Sequence, residues 1–123
     1  MEIEMIVEKT GTGFSAYAKD YAAFTTGKDF KELQFNMLEC MNLCLEVQGI
    51  TISESDLKLS MDLPTFFALY NGVNASAISK RIGMSQSLLA QYIAGIKKPS
   101  TKQKERIFQG VQQLGRELSE VRF

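Results

Sequence analysis

The feature of this 123-residue chain best suited to recognising another molecule is a stripe of small and amide-bearing side chains. It lies on one side of a predicted helix over residues 86–93 and consists of Gln86, Ser87, Ala90, Gln91 and Ala94. The stripe has no charge, so it can enter the major groove of DNA, where glutamine pairs bidentately with adenine. We therefore predict that Gln86, Ser87 and Gln91 contact bases in double-stranded DNA.

Capping signals define the helices around this stripe. Asn74 is a suitable N-cap for a helix over 75–82, and Gly83 stands where a left-handed residue ends a helix. Ser85 caps the helix over 86–93. Helical spacing predicts that the inward-facing residues of this region are Leu89, Tyr92, Ile93 and Ile96. After Pro99, Ser100 and Gln103 predict a capping box for a last helix that runs to about Val121.

Basic residues flank the stripe where the sugar-phosphate backbone of bound DNA would run. The predicted phosphate contacts are Lys80, Arg81, Lys97, Lys98 and Lys102.

The segment GMSQSLLAQYIAG, residues 83–95, resembles the turn and recognition helix of phage-repressor-type (Xre-like) helix-turn-helix proteins. The resemblance implies base contacts from Gln86 and Ser87 and, more loosely, phosphate contacts from Lys97 and Lys98. One departure from that family is Ser79, which occupies a position usually held by Ala but is still small. The alternative interpretation is a helical bundle that makes only protein contacts.

The net charge of zero hides an uneven distribution along the chain. Residues 1–63 hold 5 basic and 11 acidic residues, giving −6, whereas residues 64–123 hold 9 and 3, giving +6. A basic C-terminal half suits a polyanion, and an acidic N-terminal half suits a basic protein. The alternative is that these are two solvated surfaces that attract each other.

The N-terminal part predicts a small sheet covered by one helix. Strands are expected over 1–9, 14–19, 21–26 and 57–62, and a helix over about 30–48. The polar arc of that helix is Lys31, Glu32, Glu39, Asn42 and Glu46. Its apolar arc, expected to cover the sheet, is Phe30, Leu33, Met37, Leu38, Met41, Cys44, Leu45 and Val47.

This β-β-β-α-β order, with the segment TTGKDFKELQFNMLECMNLCLE at 25–46, resembles the N-terminal domain of HicB-like antitoxins. The resemblance implies a truncated ribonuclease-H-like fold over residues 1–62. It also implies a DNA-binding domain over 63–123, which here would begin with a helix opened by Pro64. The overall fold class is then α+β followed by an all-α helix-turn-helix domain. A departure is the turn KDYAAFTTG, which lacks the Pro and Cys that many members carry there.

The sequence does not predict an enzyme, a metal site or a cofactor. The candidate carboxylates for metal-dependent hydrolysis, Glu2, Glu4, Glu8, Glu39 and Glu46, fall on predicted solvent faces, and the chain has no His. Cys40 and Cys44 lie one helical turn apart and cannot complete a tetrahedral zinc site alone. We expect them to be buried reduced thiols; zinc shared across a dimer is the alternative.

The last helix carries Ile107, Val111, Leu114, Leu118 and Val121 at steps of 4, 3, 4 and 3. We expect the first half of this series to pack on its own domain and the second half to form a seam between two copies. Gly110 and Gly115 would allow a neighbour to approach closely.

The resemblance implies an antitoxin and transcriptional repressor. We expect the protein in the cytoplasm, since no stretch approaches the length of a membrane span. By resemblance, its partners would be operator DNA, a small basic HicA-type toxin that cleaves mRNA, and further copies of itself as a homodimer or higher oligomer. The alternatives are a stand-alone regulator whose N-terminal domain oligomerises or senses a ligand, and a degenerate nuclease.

Overall fold

The computed structural model describes all 123 residues, which form two compact units, Met1–Tyr70 and Asn71–Phe123. The fold is α+β: a four-stranded mixed sheet with its helices is followed by a helical unit. None of the helices is both long enough and apolar enough to cross a membrane.

The first unit contains one sheet with strand order β3-β2-β1-β4. Its elements are β1 (Ile3–Lys9), β2 (Phe14–Ala18), β3 (Phe24–Gly27), α1 (Phe30–Leu45), β4 (Leu57–Ser60) and α2 (Leu63–Leu69). The first three strands form an antiparallel meander, and β4 returns beside β1 in a parallel orientation. This is the β-β-β-α-β order expected from the sequence.

Alternating residues give the sheet one buried face. The inward residues of β1 and β2 are Ile3, Met5, Val7, Phe14, Ala16 and Ala18, and α1 covers them with Leu33, Met37, Met41 and Leu45. Because side chains alternate along a strand, the even-numbered residues of β1 and the odd-numbered residues of β2 lie on the opposite, open face of the sheet.

The third strand is shorter than the sequence predicted. Residues 21–23, expected to be extended, form a turn in which the Ala23 N–H donates to the Tyr21 carbonyl at 2.9 Å. The Ala18 N–H then bonds the Ala23 carbonyl at 3.0 Å, and regular pairing with β2 starts at Phe24. Alternation alone could not separate this turn from the strand.

Helix α1 starts at a side-chain cap and ends in a tighter turn. The Asp29 carboxylate accepts from the Glu32 N–H at 2.9 Å. After Leu45 the chain makes one 3-10 turn, Glu46–Gln48, before the left-handed Gly49. The prediction that Val47 faces the sheet is wrong: its side chain is 96% exposed, because a turn with three residues changes the phase of the helix.

Helix α2 packs on the sheet of the first unit. The Thr65 side chain, which is buried, accepts a hydrogen bond from the Lys9 N–H at 3.2 Å. Leu69 belongs to the same apolar core as β1. The compact units therefore divide between Tyr70 and Asn71, whereas the sequence placed the boundary at residues 62/63 and assigned this helix to the second domain.

The second unit consists of α3 (Ala75–Ile82), α4 (Gln86–Ile93) and α5 (Thr101–Ser119). Helix α3 packs against both α4 and α5. Ile78, Leu89 and Ile107, one from each helix, are at most 1% exposed. Ser79 is also buried; its hydroxyl donates to the Ser76 carbonyl at 2.7 Å, so this polar side chain is satisfied within its own helix.

Replacing Thr65 with Val should destabilise the first unit by about 1–3 kcal/mol, because the Lys9 N–H then loses its acceptor at a nearly unchanged side-chain volume. Urea unfolding followed by circular dichroism measures this change. Thr26→Val, at an exposed position of β3, is the matched control and should change stability little. Equal effects of the two substitutions would show that the Thr65 hydrogen bond contributes nothing.

Candidate nucleic-acid interface

The outer side of α4 presents the uncharged stripe to solvent. Gln86, Ser87, Ala90, Gln91 and Ala94 are all exposed, whereas Leu89 and Tyr92 on the opposite side are buried. The three side chains predicted to contact bases are therefore on one accessible helix face.

Local bonds fix both ends of α4. At its start, the Ser85 hydroxyl accepts from the Leu88 N–H at 3.3 Å, and the preceding Met84 is buried. At its end, Gly95 has a φ of +76°, and the Ile96 N–H returns to the Gln91 carbonyl at 3.0 Å. Because this left-handed residue reverses the chain, Ile96 is 79% exposed, and the prediction that it faces inward is wrong.

Arg106 on α5 holds the end of α3. Its guanidinium donates to the Ile82 carbonyl at 2.6 Å and to the Gln103 side-chain oxygen at 2.9 Å. These bonds satisfy a carbonyl that the helix itself leaves free.

The predicted capping box of α5 is consequently only half formed. The Ser100 hydroxyl accepts from the Gln103 N–H at 3.2 Å, but the Gln103 side chain is used by Arg106. Nothing in the sequence marked Arg106 for this role.

Gly110 lets α5 approach α3 closely. A Cβ atom at this position would collide with the side chain of Ile82, so no larger residue fits without a shift. The close neighbour that the sequence suggested for Gly110 is therefore within its own unit. At Gly115, by contrast, a Cβ would meet nothing within 4 Å.

The basic residues around α4 form a stretch without compensating acidic residues. Residues 71–104 contain five Lys and one Arg and neither Asp nor Glu. Lys80 lies in the last turn of α3, Lys97 and Lys98 directly follow α4, and Lys102 lies in the first turn of α5. All four are exposed, and none forms an ion pair. This stretch therefore presents a positive charge suited to phosphate groups.

Arg81 differs from the other predicted phosphate contacts because it already has an anionic partner. Its two terminal nitrogens donate to the two carboxylate oxygens of Glu117 at 3.1 and 2.6 Å. These hydrogen bonds, with one from Gln113, lower the pKa of Glu117 to about 2. A phosphate would have to displace Glu117 to bind Arg81. Because the two residues are 36 positions apart, no local pattern in the sequence indicates the pair.

The candidate catalytic and metal-binding groups of the first unit do not converge. Glu4 and Glu8 lie on the open face of the sheet, and Glu2 is exposed just before β1. Glu39 lies on the outer side of α1, and Glu46 lies in the turn that follows it. No three His, Cys, Asp or Glu side chains are grouped closely enough to hold a metal ion. Cys40 and Cys44 are free thiols that are half-buried against the core.

Comparisons with protein-family models, curated proteins and solved structures found no match to this chain.

Replacing Glu117 with Gln should lower the melting temperature at pH 7, because the charged partner of Arg81 is lost. The effect should be modest, since exposed ion pairs contribute little. The pKa of Glu117 is depressed below its ordinary value of 4.5 to about 2, so the stabilisation is complete above pH 4.5 and lost as the pH falls towards 2. The difference between the two proteins should therefore vanish at about pH 2.

Glu105→Gln on the same helix is the control for this change, since the Glu105 carboxylate accepts a hydrogen bond from Gln109 and forms no ion pair. The measurement is thermal unfolding of wild type, Glu117→Gln and Glu105→Gln between pH 7 and pH 2. A difference between wild type and Glu117→Gln that persists unchanged at pH 2 would contradict the role of the ion pair.

Proposed function

We propose that residues 71–123 bind double-stranded DNA and that the chain is a transcriptional repressor. The observation that carries the proposal is the exposed, uncharged side of α4, set within a stretch from residue 71 to residue 104 that has six basic and no acidic residues. Phosphate contacts supply the sequence-independent part of binding to DNA, and amide side chains on a helix can supply the sequence-dependent part.

In this proposal α3 and α4 form a helix-turn-helix, and α4 lies in the major groove. Gln86, Ser87 and Gln91 contact base edges. Lys80, Lys97, Lys98 and Lys102 contact phosphates, since they are exposed and have no ion-pair partner. Arg81 contacts a phosphate only when its ion pair with Glu117 is broken. Support for this arrangement comes from the buried Leu89 and Tyr92, which hold α4 with its polar side outward.

For the first unit, the proposed role is that of a HicB-like antitoxin domain with a truncated ribonuclease-H-like fold. It would bind and block a small basic HicA-type toxin that cleaves mRNA, and the same protein would repress its own operon. Two observations support the role: the β-β-β-α-β order with α1 covering one face of the sheet, and the net charge of −6 over residues 1–70, from 5 basic and 11 acidic residues. An acidic surface of this kind attracts a basic protein.

A homodimer or higher oligomer fits the DNA-binding role, because one recognition helix contacts few base pairs. Leu118, near the end of α5, and Val121, just beyond it, are exposed, so this part of the predicted apolar series is not used within the second unit. A second copy would cover it.

Replacing Gln86 with Ala should reduce discrimination between operator and scrambled duplexes by about 5- to 150-fold, corresponding to the 1–3 kcal/mol of a bidentate amide-to-adenine contact. Replacing Lys97 with Ala should instead weaken binding to both duplexes alike and lower the slope of log K against log salt by about one. Fluorescence anisotropy with labelled DNA from upstream of the gene, between 50 and 200 mM KCl, measures both quantities.

Lys58→Ala provides the control for the loss of one positive charge, since Lys58 is an exposed residue of β4 in the first unit. It should leave both quantities unchanged. If the Gln86 and Lys97 variants behave identically, the division into base and phosphate contacts is wrong. If the wild-type protein does not bind the upstream duplex at low salt, the DNA-binding proposal fails.

Co-expression tests the antitoxin role. We expect a short reading frame for a basic, His-containing protein beside the gene, and growth arrest when that product is expressed alone. Expression of the full chain should relieve the arrest, and the two proteins should co-purify. Relief should persist in the Gln86→Ala variant, because neutralisation is assigned to the first unit. The absence of a toxic neighbour, together with intact DNA binding, would favour a stand-alone regulator.

A further inference from the structure

Three large apolar side chains project from the outer side of α1 and the turn after it. Phe35 is 66% exposed, Leu43 63% and Val47 96%. The core beneath α1 is already closed, since Leu33, Met37, Met41 and Leu45 are at most 1% exposed. The three exposed side chains therefore contribute little to the packing of the unit. Phe35 and Leu43 are eight residues apart and so lie on one side of α1, where both are accessible to a partner.

Acidic residues run along the same side of the helix. Glu32, Glu39 and Glu46 are seven residues apart, which places them nearly in line at intervals of about 10 Å. Glu39 and Glu46 form no ion pair, and Glu32 has only Lys28, at 4.0 Å. Lys31 is also exposed, one turn before Phe35, but residues 32–57 contain no Lys or Arg. Leu43 therefore lies between two carboxylates, Glu39 and Glu46, that the chain leaves uncompensated. A partner that covers Phe35 and Leu43 must bring basic residues to face these glutamates.

A cleft of about 440 Å³ opens between α1 and the turn and strand of β3, beside Glu39 and Leu43. Two of its other lining residues are already engaged: the Asn36 amide donates to the Thr26 carbonyl at 2.8 Å, and the Cys40 thiol to the Phe24 carbonyl at 3.5 Å. The carboxylate of Glu39 is the charged group left free there. An arginine or lysine can lay its aliphatic stem against Leu43 and bring its charged head to Glu39.

We propose that the outer side of α1 is the docking surface for a basic protein partner, with Phe35 and Leu43 as apolar contacts and Glu39 as the central charge contact. The proposal rests on the antitoxin role given above to the first unit, and it identifies the surface that performs it.

The open face of the sheet is the competing surface. It exposes Tyr17 and Phe24, which are directly paired across β2 and β3. Its charges, however, are mixed: Glu4 pairs with Lys19 at 4.0 Å, and Lys58 lies directly opposite Glu4 on β4. The electrostatic attraction of a basic partner to this face is therefore weaker than its attraction to Glu39 and Glu46 on the outer side of α1.

Two charge reversals separate these surfaces at equal net charge. Glu39→Lys changes the outer side of α1, and Glu8→Lys changes the open face of the sheet; both residues are exposed. In cells of the source organism, the full chain carries a photo-crosslinking residue at position 43 or at position 17. The cross-linked product is identified by mass spectrometry, and its net charge is read from its sequence.

We expect a cross-link from position 43 to a protein of net positive charge. Glu39→Lys should reduce it at least about tenfold, through like-charge repulsion, whereas Glu8→Lys should leave it within about twofold. DNA binding and the melting temperature of both variants, measured in parallel, show that each remains folded. If the yield of the cross-linked product is unchanged by Glu39→Lys, or falls equally with both charge reversals, the proposed surface is wrong.

The remaining outcomes separate this proposal from the function on which it rests. A basic protein cross-linked from position 17 alone overturns the α1 surface but keeps the partner-binding role of the first unit. Absence of a cross-link at both positions, with DNA binding intact, overturns the partner-binding role as well.

Discussion

The packing of α3 against both of its neighbours is the constraint on which the second unit depends. Ile78, Leu89 and Ile107 can all be excluded from water only if α4 turns its apolar side inward, and this leaves Gln86 and Gln91 outside. Arg106 adds a hydrogen bond from α5 to the Ile82 carbonyl at the end of α3, and Gly110 permits the close approach of these helices. The exposed amide side of α4 is thus a consequence of where the apolar residues are buried.

The two units carry opposite net charges. The first has a net charge of −6 and the second +6, so their surfaces favour molecules of opposite charge. Within the second unit the charges are not equivalent. Lys97 and Lys98 are free, whereas Arg81 is held by Glu117 in a bidentate geometry that a phosphate could also adopt. Proximity in the sequence to a predicted recognition helix therefore does not by itself make a basic residue available to DNA.

Local sequence signals predicted most helices and strands. Tertiary contacts explain most differences between the predicted and observed structure. Asn74, Gly83 and Ser85 gave the bounds of α3 and α4, because capping depends on neighbouring residues. The position of α2 could not be predicted in this way, since it depends on the bond between Thr65 and Lys9, which are 56 residues apart. The outward direction of Val47 and Ile96 depends on a 3-10 turn and a left-handed glycine that interrupt the helical period. The exposure of Phe35 and Leu43 was predictable, since helical spacing places both outside the apolar arc of α1.

Titration of the isotope-labelled full chain with the upstream duplex, followed by amide chemical shifts in NMR spectra, tests the DNA-binding account most directly. The account predicts the largest changes at residues 86–91 and at Lys97 and Lys98, with small changes along the sheet. Changes concentrated in the first unit, with α4 unaffected at a salt concentration where the duplex is bound, would contradict it.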